Sequence, residues 1–364
     1  MRHELPDVIA RAIAGAARPS LVFELARIDD NLRQFADAAR AAGVTALFAA
    51  KSFPHPAVRA LAAQRFAGFD VASAAEVRDA IAAGAGVLSV ADPSARAIAA
   101  VADWRGRLIA SCETAAQVAA APPGAEIAIR ISASIARRDP AVGAVLDGSG
   151  HRRSRFGLDI EPARLRAALG ELARAAGDRP VGLHVHHGPV SATSADRFAL
   201  TARAVLDAAR DAGLAPRFLD LGGAWHAIGD LAACLAQLRA AVPELELLAE
   251  PGRRIADGAG YATGRVAVSR ALDDRQLCVV ELSRICHLRW SQPELVAAPP
   301  RTGLGVPTLV AGPTCYEDDV LGEWTVEADA LAAGRRAVFR NVTGYAIGWN
   351  TGFAGIPPAD VVVT

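Results

Sequence analysis

Of the 39 basic residues in this chain only one, Lys51, is a lysine. A primary amine attacks a carbonyl once its surroundings lower its pKa, so a lysine kept where every other basic position is arginine is a candidate nucleophile. Drift toward GC-rich codons gives the same composition, and one solvated lysine that escaped it accounts for the count equally well. Other residues able to do chemistry recur at intervals: Asp70 in GFDV, Arg130 in IRIS, His184, His186 and His187 in HVHHG, Gly222 and Gly223 in LGGA, Glu250 to Arg253 in EPGR, and Cys315 in GPTC. Glycine N–H groups and an arginine can take a phosphate. A carboxylate can pair with a protonated ring nitrogen, and an imidazole can lie flat on a ring.

What must position these groups is a set of short apolar runs alternating with alanine-rich helical patterns over the first two-thirds of the chain. The predicted strands are 47–50, 69–72, 87–90, 108–112, 127–131, 181–185, 218–221 and 247–249, with helices such as 74–83, 162–176 and 195–212 between them. A further short strand at 21–25 precedes the first helix. Eight strands, each but the last followed by a helix, predict an α/β fold with a (β/α)8 TIM-like barrel. An open doubly wound sheet would alternate in the same way but prefers GxGxxG after its first strand, and Ala49-Ala50-Lys51-Ser52-Phe53-Pro54 is nothing of the kind. Past residue 256 the texture changes. Strand-like runs at 266–269, 277–282, 308–311 and 337–342 lie between Gly and Pro turns, and only 293–298 and 328–333 read as helical. The expectation is a barrel over 20–255 and a mostly-β domain over 256–364 that takes in the N-terminal segment 1–19.

Barrel enzymes place their chemistry at the C-terminal ends of the strands. Lys51 ends the first strand, Asp70 lies in the second, Arg130 in the fifth, His184 to His187 end the sixth, Gly222-Gly223 the seventh, and Glu250-Pro251-Gly252-Arg253 the eighth. An amine for an aldehyde, donors for a phosphate and a carboxylate for a basic ring nitrogen together describe a site for pyridoxal phosphate.

Here the chain resembles the fold-type III pyridoxal-phosphate decarboxylases, the group of ornithine, arginine and diaminopimelate decarboxylases. The segments that carry the resemblance are FAAKSFP, GFDVASAAEV, IRIS, SRFGL, GLHVHHG, LDLGGAW, AEPGRRIADG, GPTCYEDDVL and TGYAIGWNTGF, in family order along most of the chain. The resemblance implies a β-sandwich for the second domain and a homodimer with active sites at the subunit interface. It implies that Lys51 carries the cofactor as a Schiff base, that His186 stacks on its ring, and that Glu250 binds the pyridine nitrogen. Gly222, Gly223, Gly252, Arg253 and Tyr345 would hold the phosphate, and Asp70, Glu76 and Arg130 would support the lysine and the cofactor. Cys315 would reprotonate Cα from the other subunit, with Tyr316, Asp319 and Phe353 lining the same pocket. The implied reaction is loss of CO2 from an amino acid, with Glu250 keeping the ring nitrogen protonated as an electron sink.

Three positions depart from the family pattern. Pro189 stands where a phosphate-binding serine is common, and Ala224 replaces the third glycine of a GGG run. Tyr316 follows Cys315 where diamine and diaminopimelate enzymes carry an acid for the distal ammonium. With Arg284, His287 and Arg289 clustered in the segment 282–290, this predicts a substrate with a distal carboxylate or a larger conjugate, such as a siderophore, secondary-metabolite or polyamine-type intermediate, rather than simple ornithine or lysine. Arg289 would contact it.

Other readings stand beside this one. A racemase of the same barrel presents an arginine to the ring nitrogen, so Glu250 favours decarboxylation. His184 and His186 share a strand face and could serve a metal-dependent (β/α)8 hydrolase, but His187 points the other way and a catalytic zinc usually takes three protein ligands. Some relatives of this fold have lost catalysis and regulate other proteins; retention of both Lys51 and Cys315 argues against that role. A formal net charge of zero gives no reason to expect nucleic acid or an anionic membrane as partner. The charge-dotted start MRHELPDVIARAIAGAARPS is a poor signal peptide, and no apolar run is long enough to cross a bilayer. Five scattered cysteines, an odd number, point to reduced thiols in a cytoplasm.

Overall fold

In the computed structural model the first strand, β1 (Ser20–Phe23), stands apart from the eight that follow it. These are β2 (Val44–Ala49), β3 (Gly68–Val71), β4 (Val87–Val90), β5 (Arg107–Cys112), β6 (Glu126–Ile131), β7 (Val181–Val185), β8 (Phe218–Asp220) and β9 (Glu246–Ala249). Each pairs in parallel with the next, and β9 returns to β2 to close a barrel, as the sequence predicts. The structure describes residues 5–92, 94–101, 103–133, 155–158, 161–186, 195–296, 305–327 and 329–364. It divides into one unit of Leu32–Lys51 with His55–Arg254 and another of Met1–Asn31, Ser52–Pro54 and Ile255–Thr364.

Parallel strands covered by helices are buried on both faces, which is why β3, β4 and β8 read as unbroken apolar runs around single polar residues. Leu47, Ile109, Ala128, Phe218 and Leu248 form one fully buried cluster. They come from strands that are not all neighbours, so they meet through the barrel interior. The helices start on local signals. Ser73 accepts a hydrogen bond from the Glu76 N–H, Thr114 and Gln117 form a reciprocal capping box, and Pro162 opens Pro162–Ala176 at a position where its missing N–H costs nothing. Strand register then aligns polar residues at one level: Asp70 beside Ser89, Arg130 beside His184, and His184 beside Asp220.

The second unit is mostly β. Its strands are β10 (Gly260–Leu272), β11 (Arg275–Val280), β12 (Glu294–Leu295), β13 (Val306–Ala311), β14 (Val320–Val326), β15 (Arg336–Arg340) and β16 (Asp360–Val363). β10 serves three neighbours: Gly260–Thr263 pair with β1, Tyr261–Arg265 with β15, and the stretch from Val266 onward, with a register shift between Val266 and Val268, with β11. β1 joins this sheet, antiparallel to β10 and parallel to β16. Ile9, Ile13 and Val22 are buried there with Tyr261, Val338 and Val362 packed on them.

Over their described residues, two predicted helices do not form. Glu294 and Leu295 pair with Arg340 and Phe339 as β12, and the Arg340 Nε donates to Glu294 Oε2 at 2.8 Å, so ladder pairing overrides local propensity. The predicted helix 328–333 is a run of turns over its described residues, with Leu331 buried. Among the described residues no helix is long and apolar enough to cross a membrane.

Candidate active site

Lys51 follows β2 in the short turn Ala50–Ser52, and its ammonium pairs with Asp70 Oδ2. Asp70 is fully buried, whereas 41% of the Lys51 side chain is accessible. The other Asp70 oxygen, Oδ1, has no hydrogen-bond partner among the described residues. Below them Glu76 Oε2 accepts the Ala72 N–H at 2.8 Å, and burial raises the Glu76 pKa.

Across the mouth two carboxylates are buried together. Asp220 ends β8, and Glu250 follows β9. Ser89 Oγ on β4 lies 3.4 Å from Asp220 Oδ2 and 3.3 Å from Glu250 Oε1, and the Gly222 N–H donates to Asp220 Oδ1 at 2.9 Å. His184 Nε2 is 4.0 Å from Glu250 Oε2 and makes no hydrogen bond among the described residues, while its Nδ1 lies 2.7 Å from Ser111 Oγ. Burial, then the nearby charges of Asp220 and Asp70, pushes Glu250 well above the usual carboxylate range. Burial also raises Asp220. His184 is driven well below the ordinary histidine value, first by burial and then by Arg130, His186 and Lys51, so it is neutral at neutral pH.

The loop after β8 shows why two glycines are needed. Gly222 has φ +60°, and a Cβ there would stand 2.9 Å from His186 Cδ2; one on Gly223 would stand 3.1 Å from His186 Nε2. The imidazole is open to solvent on one side, yet the protein packed around it pushes its pKa down to about 4, with Lys51 and Arg130 adding to the effect. Ala224 adopts the left-handed conformation, φ 74°, that a third glycine would take without strain. Trp225 Nε1 donates to Gly222 O at 2.7 Å, and Arg254 donates to Ile228 O at 2.7 Å, which fixes the loop. Arg253 makes no hydrogen bond or ion pair with a described residue. Arg130 holds its guanidinium 4.6 Å from the Phe156 ring centre.

The remaining predicted residues lie in the mostly-β unit. Cys315 is exposed, and beside it Tyr316 (53% accessible) sits 5.3 Å from the ring of Phe353 (44%). Asp319, expected to line a pocket, is instead buried as a scaffold anchor. Its Oδ1 accepts from Ser283 Oγ (3.0 Å) and the Arg284 N–H (2.6 Å), and its Oδ2 from Thr314 Oγ1 (2.7 Å). Tyr345 packs edge-on against Trp290 at 5.1 Å. His187 and Pro189 lie outside the described residues. Sequence reasoning missed Ser89, Ser111 and Asp220. Each interrupts an apolar strand with a polar residue, in VLSV, IASC and FLD, and that is the signal that could have found them.

This donor set fits pyridoxal phosphate. An amine, an imidazole, a cleared glycine loop beside an uncommitted arginine, and a buried carboxyl group surround one mouth, with Asp70 Oδ1 and His184 Nε2 still lacking partners. Residues 25–257 match the family described as pyridoxal-dependent decarboxylase, pyridoxal binding domain. The lysine/ornithine decarboxylase of Selenomonas ruminantium is 26% identical over 327 residues, 83% of this chain and 79% of that protein. Among solved structures, the arginine decarboxylase of Paramecium bursaria Chlorella virus superposes with TM-score 0.79 at 20% identity, over 98% of this chain and 99% of that one. The lysine/ornithine decarboxylase of Vibrio vulnificus, complexed with putrescine, gives 0.74 at 19% identity, over 98% and 97%.

These relatives overturn the expectation of a distal-carboxylate or conjugate substrate. The geometry supplies the reason. Arg289 stacks 4.5 Å from the Trp349 ring centre, and Arg284 donates to Leu288 O. His287 is buried between the Ser283 N–H and Pro357 O. The basic cluster is scaffolding, not a carboxylate reader. The racemase and metal-hydrolase readings give way as well. His184, Asp220 and Glu250 bring ligand atoms within 4.8 Å of one another, but His186 is not in that group, and the family match assigns this mouth to a cofactor.

Proposed function

The chain belongs to the pyridoxal-dependent decarboxylases, and from that premise we propose that it removes the α-carboxyl group of a basic amino acid of the ornithine, lysine or arginine type. As a member of this family it is a pyridoxal-phosphate-dependent carbon–carbon lyase of fold-type III, acting on a small-molecule amino acid. The observation that carries the reading is the convergence of Lys51 with Asp70, His186 over Gly222-Gly223, and Glu250 on one barrel mouth.

Pyridoxal phosphate, when bound, supplies the sink for the electron pair left as the bond to CO2 breaks. Lys51 would hold its aldehyde, and buried Asp70, which pairs with that amine, orients it. His186, neutral because its pKa is pushed down to about 4, would stack on the ring. Gly222, Gly223, Gly252 and Arg253 would bind the phosphate, and Glu250 would pair with the ring nitrogen. Arg130 supports the cofactor from β6. Cys315 holds the proton that Cα receives, and it comes from the partner subunit of a homodimer. Tyr316 and Phe353 present two aromatic faces where the acid expected after Cys315 is missing, and aromatic faces bind a substrate's distal cation. A reducing cytoplasm agrees with five free cysteines.

The test has two parts. Borohydride treatment of the coloured protein should fix the cofactor on the Lys51 peptide, and CO2 release should be measured with ornithine, lysine and arginine. Turnover of none of the three by a loaded enzyme would refute the substrate class. Mixing Cys315→Ala with Lys51→Ala protein should restore roughly a quarter of the wild-type sites if a symmetric dimer shares them; no recovery would refute the shared site.

A further inference from the structure

Asp220 has no place in the site as the sequence describes it, yet it is the residue nearest in character to Glu250. Both carboxyl groups are buried, at 0% and 3% accessibility. One hydroxyl, Ser89 Oγ, lies between Asp220 Oδ2 and Glu250 Oε1 at 3.4 and 3.3 Å, and it has a single proton to donate. Asp220 Oδ1 is committed to the Gly222 N–H. The groups that face the pair are Asp70 from β3, Lys51 after β2, and His184 from β7, with Arg130 and His186 beyond it. The Lys51 ammonium is on Asp70, and His184 presents its Nε2 to Glu250 at 4.0 Å without a hydrogen bond. No cation touches either Asp220 or Glu250 among the described residues. Two adjacent carboxylates shielded from water in this way cannot both ionise.

We propose that Asp220 and Glu250 share a single proton, and that Asp220 is a positioning residue that keeps this proton on Glu250 until a ring nitrogen pairs with it. The inference rests on the reading that Glu250 faces that nitrogen. On pairing, the proton leaves a Glu250 oxygen for the ring nitrogen, or for solvent when the ring arrives already protonated. The electron pair of the O–H bond stays on the carboxylate. Asp220 thereby sets the acidity of the group that meets the cofactor, without touching the cofactor itself.

Infrared spectra of the full chain before and after loading test this. The cofactor-free wild type should show a deuterium-sensitive carboxylic-acid C=O band at neutral pH that titrates away only well above the ordinary carboxylate range. In Asp220→Asn the midpoint should fall, although burial still holds it above the ordinary carboxylate range, and Glu250→Gln, which leaves Asp220 ionised, covers the case in which the first variant does not fold. Adding pyridoxal phosphate should abolish the wild-type band, while its analogue with CH in place of the ring nitrogen should leave it. Absence of the band in the wild type, or a band unmoved by both substitutions, overturns the proposal. A band moved by Asp220→Asn but insensitive to pyridoxal phosphate leaves the shared proton standing and refutes the placement of the ring nitrogen at Glu250.

Discussion

The two ends of the barrel hold similar side chains and treat them in opposite ways. At the N-terminal end Arg107, the first residue of β5, reaches both Glu126 at the start of β6 and Glu246 at the start of β9. Its Nε lies 2.8 Å from Glu126 Oε1 and its Nη2 2.8 Å from Glu246 Oε2. β5 and β9 stand on opposite sides of the closed barrel, so one guanidinium ties its floor across the diameter. Hydrogen bonds to Glu246 and Glu126 hold the Arg107 pKa above even the usual guanidinium value. At the C-terminal end Asp70, paired with the Lys51 ammonium, is buried with Asp220 and Glu250, two imidazoles are kept neutral, and buried polar atoms lack partners among the described residues. The floor satisfies its charges. The mouth leaves them unsatisfied, as a site must if a cofactor is to complete it. Stability and reactivity are thus separated along the strand direction, as barrels in general separate them.

If that division is right, substitutions should split the same way. The largest effect belongs to Lys51→Arg, which keeps a cation for Asp70 and removes the primary amine. Decarboxylation should fall at least about 10³-fold, with the thermal midpoint close to wild type. A variant that retains activity would break the assignment of the mouth. Arg107→Ala should do the reverse. It strips two carboxylates of a shared bidentate partner and should cost about 2 kcal/mol, moderated because the cluster is partly exposed. The value of kcat for folded enzyme should stay within about twofold, since the floor lies far from the chemistry. Chemical unfolding and steady-state kinetics on the same preparation check both halves.

The division also explains what the sequence did and did not reveal. Barrel strands were legible because parallel, doubly buried strands must be short apolar runs, and Lys51, Asp70, His186 and Glu250 were legible because they end or interrupt such runs. Asp220 was hidden beside the more conspicuous Gly222-Gly223, and the cross-barrel meeting of Arg107 with Glu246 depends on closure, which no local pattern encodes. In the mostly-β unit the signals are weaker. Asp319 is placed in a pocket by the family resemblance, yet Gly312 lets it turn inward: a Cβ there would fall 2.3 Å from its Oδ2. The basic run around Arg289 misled for the same reason, since stacking on Trp349 is a contact between residues 60 positions apart in sequence.

A smaller effect is expected from pH. A carboxyl group whose pKa is raised on folding keeps a proton that the unfolded chain has lost, so its contribution is greatest at low pH and declines as pH rises. The lowered histidines act oppositely, and their contribution is lost as pH falls through 6.5 toward the folded value of about 4 for His186. From about one pH unit above 6.5 to about one below the 9.0 at which an ordinary thiol titrates, the histidines are neutral in both states and Cys112, raised to about 12, is not yet engaged. The raised carboxyls remain, the buried pair and Glu76. The cofactor-free protein should lose stability across this window by up to about 1.4 kcal/mol per pH unit, and Asp220→Asn should flatten the slope. A slope unchanged in that variant would place the strain outside the mouth.

The finest test concerns the backbone. Ala224, at φ 74° and ψ 19° next to Gly223, is a left-handed alanine at the mouth, where a glycine would relax. Ala224→Gly removes a strain of about 1 kcal/mol in the folded state but loosens the unfolded chain by a comparable amount. Net stability should therefore move by less than about 1 kcal/mol. Affinity for pyridoxal phosphate is the sharper readout, because the same loop carries the N–H groups assigned to the phosphate. If the alanine methyl crowds that loop, the glycine variant binds the cofactor more tightly while its melting point barely moves. If affinity and stability rise together, the strain is a property of the scaffold, and the contrast between floor and mouth does not extend to the backbone.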